Sequence, residues 1–206
     1  MGQFFDQVAE EWDDCADKVK RANITARKIM AIPSLDNKNL IDFGSGTGLL
    51  GIQLCEIFQH VLLVDSSEKM LGQAELKIRN SQISNMTTKL ATDLFAIDGQ
   101  YSAIVTLMTL HHILDTRSFF ESAYERLTVG GCLVIADLYS EDGSFHKHNP
   151  SFDGHNGFNV SDLTELAQYA GFTVESTEQY HEIWQENFSN EITAYPLFLF
   201  VARKTT

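Results

Sequence analysis

The sequence predicts an α/β protein: a doubly wound, Rossmann-like sheet of seven mostly parallel strands, with an antiparallel last strand and helices at the N-terminus. Three observations predict it. Apolar runs of strand length alternate with helical periodicity through most of the chain. Residues 40–50, LIDFGSGTGLL, run from a strand through Asp42 into Gly44, Gly46 and Gly48 and then into a helical pattern. The next apolar run, VLLVD at 61–65, ends in Asp65 about one βαβ step later. With 206 residues, 44% of them apolar, the chain supports one full-sized core. We read 1–206 as a single domain, with a helical cap at 1–33, a core at 39–206 and a substrate-side loop at 139–160.

In chain order, Phe4, Phe5, Val8, Ala9 and Trp12 recur at helical spacing, and a second helical pattern covers 16–32 until Pro33 stops it. The strand from residue 40 then enters the glycine loop. Glycines at this spacing let the backbone turn sharply and approach a ligand closely. A dinucleotide GxGxxG starting at Gly44 needs its third glycine at 49, where Leu49 stands. Asp42, two residues before Gly44 at the strand's carboxyl end, would repel a pyrophosphate and welcome a cationic amino group. S-adenosylmethionine carries such a group, with a sulfonium and no phosphate.

The second strand ends at Asp65, where a carboxylate accepts both ribose hydroxyls, each charge-assisted bond contributing roughly 1.5–3 kcal/mol. Ser66, Ser67 and Glu68 open the next helix, and Met70, one turn in, offers a polarizable face to adenine or simply joins the core. A third strand over 87–91 leads to Asp93, placed to accept from the adenine amine, with a backbone N–H at Leu94 beside it. Asp65 and Asp93 read equally as ordinary helix N-caps. A fourth strand runs into Thr109, His111 and His112. A helix over 119–127 is expected to end at Gly130-Gly131, followed by the buried strand CLVIADL. After the loop, Ser161 caps a helix through 169, Gly171 leads to a strand over 172–178, and the last strand covers 196–203.

LIDFGSGTG, VLLVDSSEKML, ATDLF, AIVTLMTLHHILD, LTVGGCLVIAD and YPLFLFVARK, in that order, resemble the motifs of class I S-adenosylmethionine-dependent methyltransferases, in particular the small-molecule branch. The resemblance covers about 39–204. It implies that Asp42 and the glycine loop with Gly44, Ser45 and Gly46 hold the methionyl part, Asp65 the ribose, Met70 the adenine face and Asp93 its amine, and Ser66 and Leu94 are read with them as cofactor-binding residues. Thr109, His111 and His112 would lie near the transferable methyl group, the histidines as catalytic candidates. The aromatic stripe Phe4, Phe5 and Trp12 reads first as packing, and because N-terminal helices often cover the cofactor in this family, Trp12 and Phe4 closing the pocket is the alternative.

Charge narrows the acceptor. The chain has 15 Lys and Arg against 28 acids, a net −13, and no basic cluster, which disfavours nucleic acid. The segment TLMTLHH also lacks the Asn/Asp-Pro-Pro-aromatic run by which, in the resembling family, base-amino methyltransferases grip a flipped base. Cys15, Cys55 and Cys132 lie in apolar periodic stretches and are read as reduced, buried thiols of a cytoplasmic protein. No run approaches membrane-spanning length.

Five of the seven histidines, His111, His112, His146, His148 and His155, fall where this fold places the carboxyl edge of the sheet. Three roles compete for them. One is general base toward an oxygen acceptor. A second is metal ligation by His146-x-His148 with His155, joined by Asp153 or Glu141. The third is ordinary hydrogen bonding that shapes the loop, and spacing alone assigns no metal. Two other functions are compatible with the glycine loop: a nicotinamide-dependent oxidoreductase, against which Leu49 and Asp42 argue, and a non-catalytic S-adenosylmethionine-binding protein.

Overall fold

A computed structural model describes residues 2–149 and 152–206. Helix α1 (Gly2–Val8) and a 3₁₀ turn at Trp12–Asp14 precede α2 (Ala16–Met30), which stops three residues before Pro33. Strand β1 (Asn39–Phe43), α3 (Leu49–Leu54), β2 (His60–Asp65), α4 (Glu68–Asn80) and β3 (Met86–Leu90) form the first half of the sheet. The second half is β4 (Tyr101–Leu107), α5 (Thr116–Arg126), β5 (Leu127–Leu138), α6 (Val160–Ala170), β6 (Phe172–Glu186) and β7 (Ile192–Lys204). The seven strands lie in the order β3-β2-β1-β4-β5-β7-β6, and only β7 runs antiparallel to its neighbours β5 and β6.

Alternation along the strands builds two cores. Ile41, Phe43, Ile104, Leu133 and Ile135 face α5 and α6, where Phe119, Phe120, Ala123, Leu163 and Ala167 meet them. Leu40, Leu63, Val105, Cys132 and Val134 face the other way, onto Ala26, Ile29, Leu50, Leu54 and Leu71 of α2, α3 and α4. Each fully buried apolar side chain of this size contributes about 1.5–3 kcal/mol. A sheet covered on both faces is the reason its strands read as unbroken apolar runs.

Four expectations need correction. Gly130-Gly131 lies inside β5, not at a helix end: α5 passes directly into the strand, and Gly130, at φ +82°, sits where the pairing of β4 with β5 shifts register between Tyr101 and Ala103. Helix α6 is capped by Asn159, whose side chain accepts from the Ser161 N–H. Strands β6 and β7 continue to Glu186 and Ile192, well past the sheet, as a two-stranded hairpin whose charged, half-solvated alternation does not read as a buried strand. Cys15 is exposed, while Cys55 is half-buried and Cys132 buried.

Candidate active site

Strand order reverses between β1 and β4, so the loops leaving their carboxyl ends lie side by side. Thr109 Oγ1 donates to the Gly44 carbonyl at 3.2 Å. A Cβ at Gly44 would come 2.1 Å from Thr109 Cγ2, and Gly44 has φ +69°, so both space and backbone demand glycine. Four of the loop's own donors are already used. Gly44 and Ser45 N–H donate to the Val64 carbonyl, Gly46 N–H to Asp65 Oδ2 at 2.7 Å, and Gly48 N–H to the Ser45 carbonyl.

Acids close the circle. Asp42, 1% exposed, accepts from Gly51 N–H at 2.8 Å, the third residue of α3, and so fills the helix end to which a diphosphate would bind. Burial pushes its carboxyl up from 3.8 to about 7, against the pull of that N–H, with neighbouring Asp65 adding to the rise. Asp65 Oδ1 accepts from Ser67 N–H at 2.8 Å. Burial raises this carboxyl too, opposed by the N–H groups of Ser67, Gly46 and Ser66. These bonds leave Asp65 further acceptor capacity, since a carboxylate offers about four lone-pair sites. Ser45 Oγ is buried with no partner. Met70 is buried, its sulfur 3.9 Å from where a Gly46 Cβ would stand. Ser66 is exposed beside Asp65. Asp93 is exposed and caps a 3₁₀ turn by accepting from Ala96 N–H, while the Leu94 side chain is buried in the core.

The N-terminal segment lies on this loop. Asp13 accepts from Thr47 Oγ1 at 2.5 Å and from Lys77 Nζ at 2.6 Å, and Asp6 accepts from Ser67 Oγ at 2.6 Å. Trp12 Nε1 is 3.8 Å from the Gly46 Cβ position. Phe5 packs edge-on against both Trp12 and His112, so Phe5 and not the exposed Phe4 reaches the acceptor side. A cleft of about 350 Å³ at the opposite edge of the sheet, lined by Asn39, His60, Asn85, Gln100 and Tyr101, holds no comparable set of acids.

Beyond the loop, the structure gathers His111, His112 and His146. His111 is 1% exposed, and its Nδ1 lies 2.6 Å from Asp137 Oδ1, while its N–H donates to Asp137 Oδ2. Burial works against the Asp137 carboxylate, but the adjoining His111 ring and the N–H groups of Leu138 and His111 outweigh it and hold the carboxyl below its ordinary value. Burial lowers His112 to about 3 and His146 to about 4, with the neighbouring His111 ring working in the same direction, so both rings are neutral at neutral pH. Asp137 ends its strand as Asp42 and Asp65 end theirs, a signal the sequence carried but reading it did not use.

His148 and His155 do not join this cluster. His148 is exposed, and the His155 ring bonds the Ile113 carbonyl at 3.0 Å. The expected ligand set of His146, His148 and His155 with Asp153 or Glu141 is therefore not assembled among the described residues. The loop itself is pinned. His155 N–H donates to the His111 carbonyl at 2.7 Å, and a Cβ at Gly154 would come 2.1 Å from that same oxygen. Phe152 then stacks on His146 at 3.7 Å and 6°.

Spent N–H groups and clustered carboxylates fit a ligand with cationic and hydroxyl groups, and they do not fit a diphosphate. A profile described as a methyltransferase domain matches residues 13–177. The chain belongs to this family. S-adenosylmethionine is the family's cofactor. An uncharacterized methyltransferase of Mycobacterium tuberculosis (strain H37Rv) is 30% identical over 105 residues, 51% of this chain and 53% of that protein. A ubiquinone biosynthesis O-methyltransferase of Pelagibacter ubique is 24% identical over 149 residues, covering 65% and 62%. Among solved structures, phosphoethanolamine N-methyltransferase 2 of Haemonchus contortus, in complex with S-adenosyl-L-methionine, shares the fold at a TM-score of 0.69 and 19% identity, over 89% of this chain and 52% of that one. The chain spans about half the length of the first curated methyltransferases it matches. No helix among the described residues is long and apolar enough to cross a membrane.

Proposed function

We propose that the chain transfers the methyl group of S-adenosylmethionine to a small-molecule acceptor, as a single catalytic unit with residues 1–33 acting as its cap. The observation that carries this reading is the glycine loop, whose N–H groups at Gly44, Ser45, Gly46 and Gly48 are spent within the protein and whose border is Asp42 and Asp65. When bound, the cofactor supplies a methyl carbon already activated by a sulfonium. Asp65 and Ser66 hold the ribose hydroxyls, and Asp42 with Ser45 meets the ammonium end. Asp93 and the Leu94 N–H take the adenine edge, Met70 its face, and Thr109 fixes the loop. His111 keeps its proton on Nδ1, toward Asp137, which leaves Nε2 as the acceptor for a substrate proton. His112 lines the same space. Phe5, Trp12 and Phe152 exclude water, and alignment of this kind supplies on the order of 7–11 kcal/mol in favourable cases.

The net charge of −13 favours a small acceptor over nucleic acid, and free, exposed Cys15 suits the reducing cytoplasm. Methyl transfer from labelled cofactor to a panel of phenols, thiols and amines tests the reading. His111→Ala should lower turnover while S-adenosylhomocysteine affinity holds. Equal loss of both would make His111 structural.

A further inference from the structure

We propose that His111, His112 and His146 bind one divalent ion of the zinc class, and that the ion's open position takes an oxygen or sulfur atom of the methyl acceptor. The first half stands on geometry alone. The second rests on the methyl-transfer reading above, with the ion taking His111 Nε2 in place of a substrate proton.

Each of the three residues brings a ligand atom to within 4.8 Å of the other two, the one such group of three or more among the described residues. A tetrahedral site with bonds of about 2.0–2.1 Å sets its nitrogens about 3.3 Å apart, so side-chain rotations that close gaps of up to about 1.5 Å complete it. The rings are already held. His146 lies flat on Phe152, and His112 is set at 90° to Phe5 at 5.3 Å between centroids. His112 Nδ1 and His146 Nδ1 are both shut off from solvent with no hydrogen-bond partner. Two orphaned ring nitrogens in one cluster call for an explanation, and an ion is one that satisfies both.

His111 adds the arrangement typical of a metal ligand. Its Nδ1 is tied to the buried carboxylate of Asp137, which fixes the tautomer and points the other nitrogen away. All three candidate ligands are imidazoles, a set that suits zinc, copper, nickel or iron better than calcium or magnesium. Three protein ligands leave a fourth position open, the pattern of catalytic rather than structural zinc. The acceptor class follows from lone pairs. An oxygen or thiolate sulfur keeps a free pair after coordination, whereas an amine nitrogen does not and could no longer attack.

Chelator-treated full-length protein titrated with Co²⁺ and, separately, with Zn²⁺ tests the site. We expect one equivalent per chain and an intense visible absorption for Co²⁺. His146→Ala and His112→Ala should each weaken uptake roughly 100-fold, and Asp137→Asn about 10- to 100-fold. His148→Ala, exposed and outside the cluster, should bind as the parent does, and melting curves identify any variant that has not folded. Folded parent protein that takes up no stoichiometric ion, or His146→Ala that binds equally well, overturns the site. S-adenosylhomocysteine affinity is measured on the same samples. Cofactor binding without metal uptake defeats only this inference, and metal uptake without cofactor binding defeats the methyl-transfer reading and with it the acceptor half.

Discussion

Replacing Asp42 by Asn should make the protein more stable and a poorer cofactor binder. Burial holds the Asp42 carboxyl at about 7 instead of 3.8. Between those values the folded chain keeps a proton that the unfolded chain has released, so this group's contribution to stability is present below pH 3.8 and is lost as pH rises through 7. A separation of about 3 pH units at 1.36 kcal/mol each sets an upper value of about 4 kcal/mol. Asn has no charge to desolvate, and its amide oxygen can still accept from Gly51 N–H. Urea unfolding at a series of pH values should find the variant close to the parent near pH 4 and more stable by up to about 4 kcal/mol at pH 8. Its affinity for S-adenosylhomocysteine at pH 8 should drop at least about 10-fold, because the ammonium loses its carboxylate. A stability difference that does not vary with pH, or a variant less stable at pH 8, would refute the argument. Unchanged cofactor affinity would remove Asp42 from the binding site.

Three further outcomes follow from the same geometry. Asp65→Ala should weaken S-adenosylhomocysteine binding roughly 10-fold or more by calorimetry, and unchanged affinity would overturn the ribose assignment. Gly44→Ala should destabilise the protein by more than about 1 kcal/mol in chemical denaturation, because its Cβ would strike Thr109 at a left-handed backbone position; a neutral effect would contradict the loop geometry. Trp12 sits against Gly46, so cofactor binding should change its fluorescence in a Trp184→Phe background, and an unaltered spectrum at saturation would show that the cap does not respond.

Strands β1 and β2 were legible because they are largely buried and run into acids or glycines, signals that are local in sequence. Asp42 and Asp65 were singled out this way, and the structure sets both beside the glycine loop. What local signals could not convey is where a side chain points. Asp42 was read as guarding the loop, yet one of its oxygens turns inward to Gly51 and caps α3 from a neighbouring strand. The histidines were grouped by nearness in sequence, His146 with His148 and His155, whereas the fold pairs His146 with residues more than thirty positions earlier. Gly154 and Gly157 are what make that possible. A Cβ at either would come within 2.1 Å of a carbonyl oxygen, so the long loop is a fitted strap against His111 and Tyr139. The β6–β7 hairpin was missed for a different reason: its strands beyond the sheet face only a small cluster around Tyr195 and Leu197, and their alternation carries Glu, Gln and His.

The most direct measurement is a side-by-side titration of the folded protein with S-adenosylhomocysteine and NADH. Spent loop donors and bordering carboxylates predict saturable one-site binding of the thioether nucleoside and none of the dinucleotide at the same concentration. Preference for NADH, or no uptake of S-adenosylhomocysteine, would contradict the account at its root.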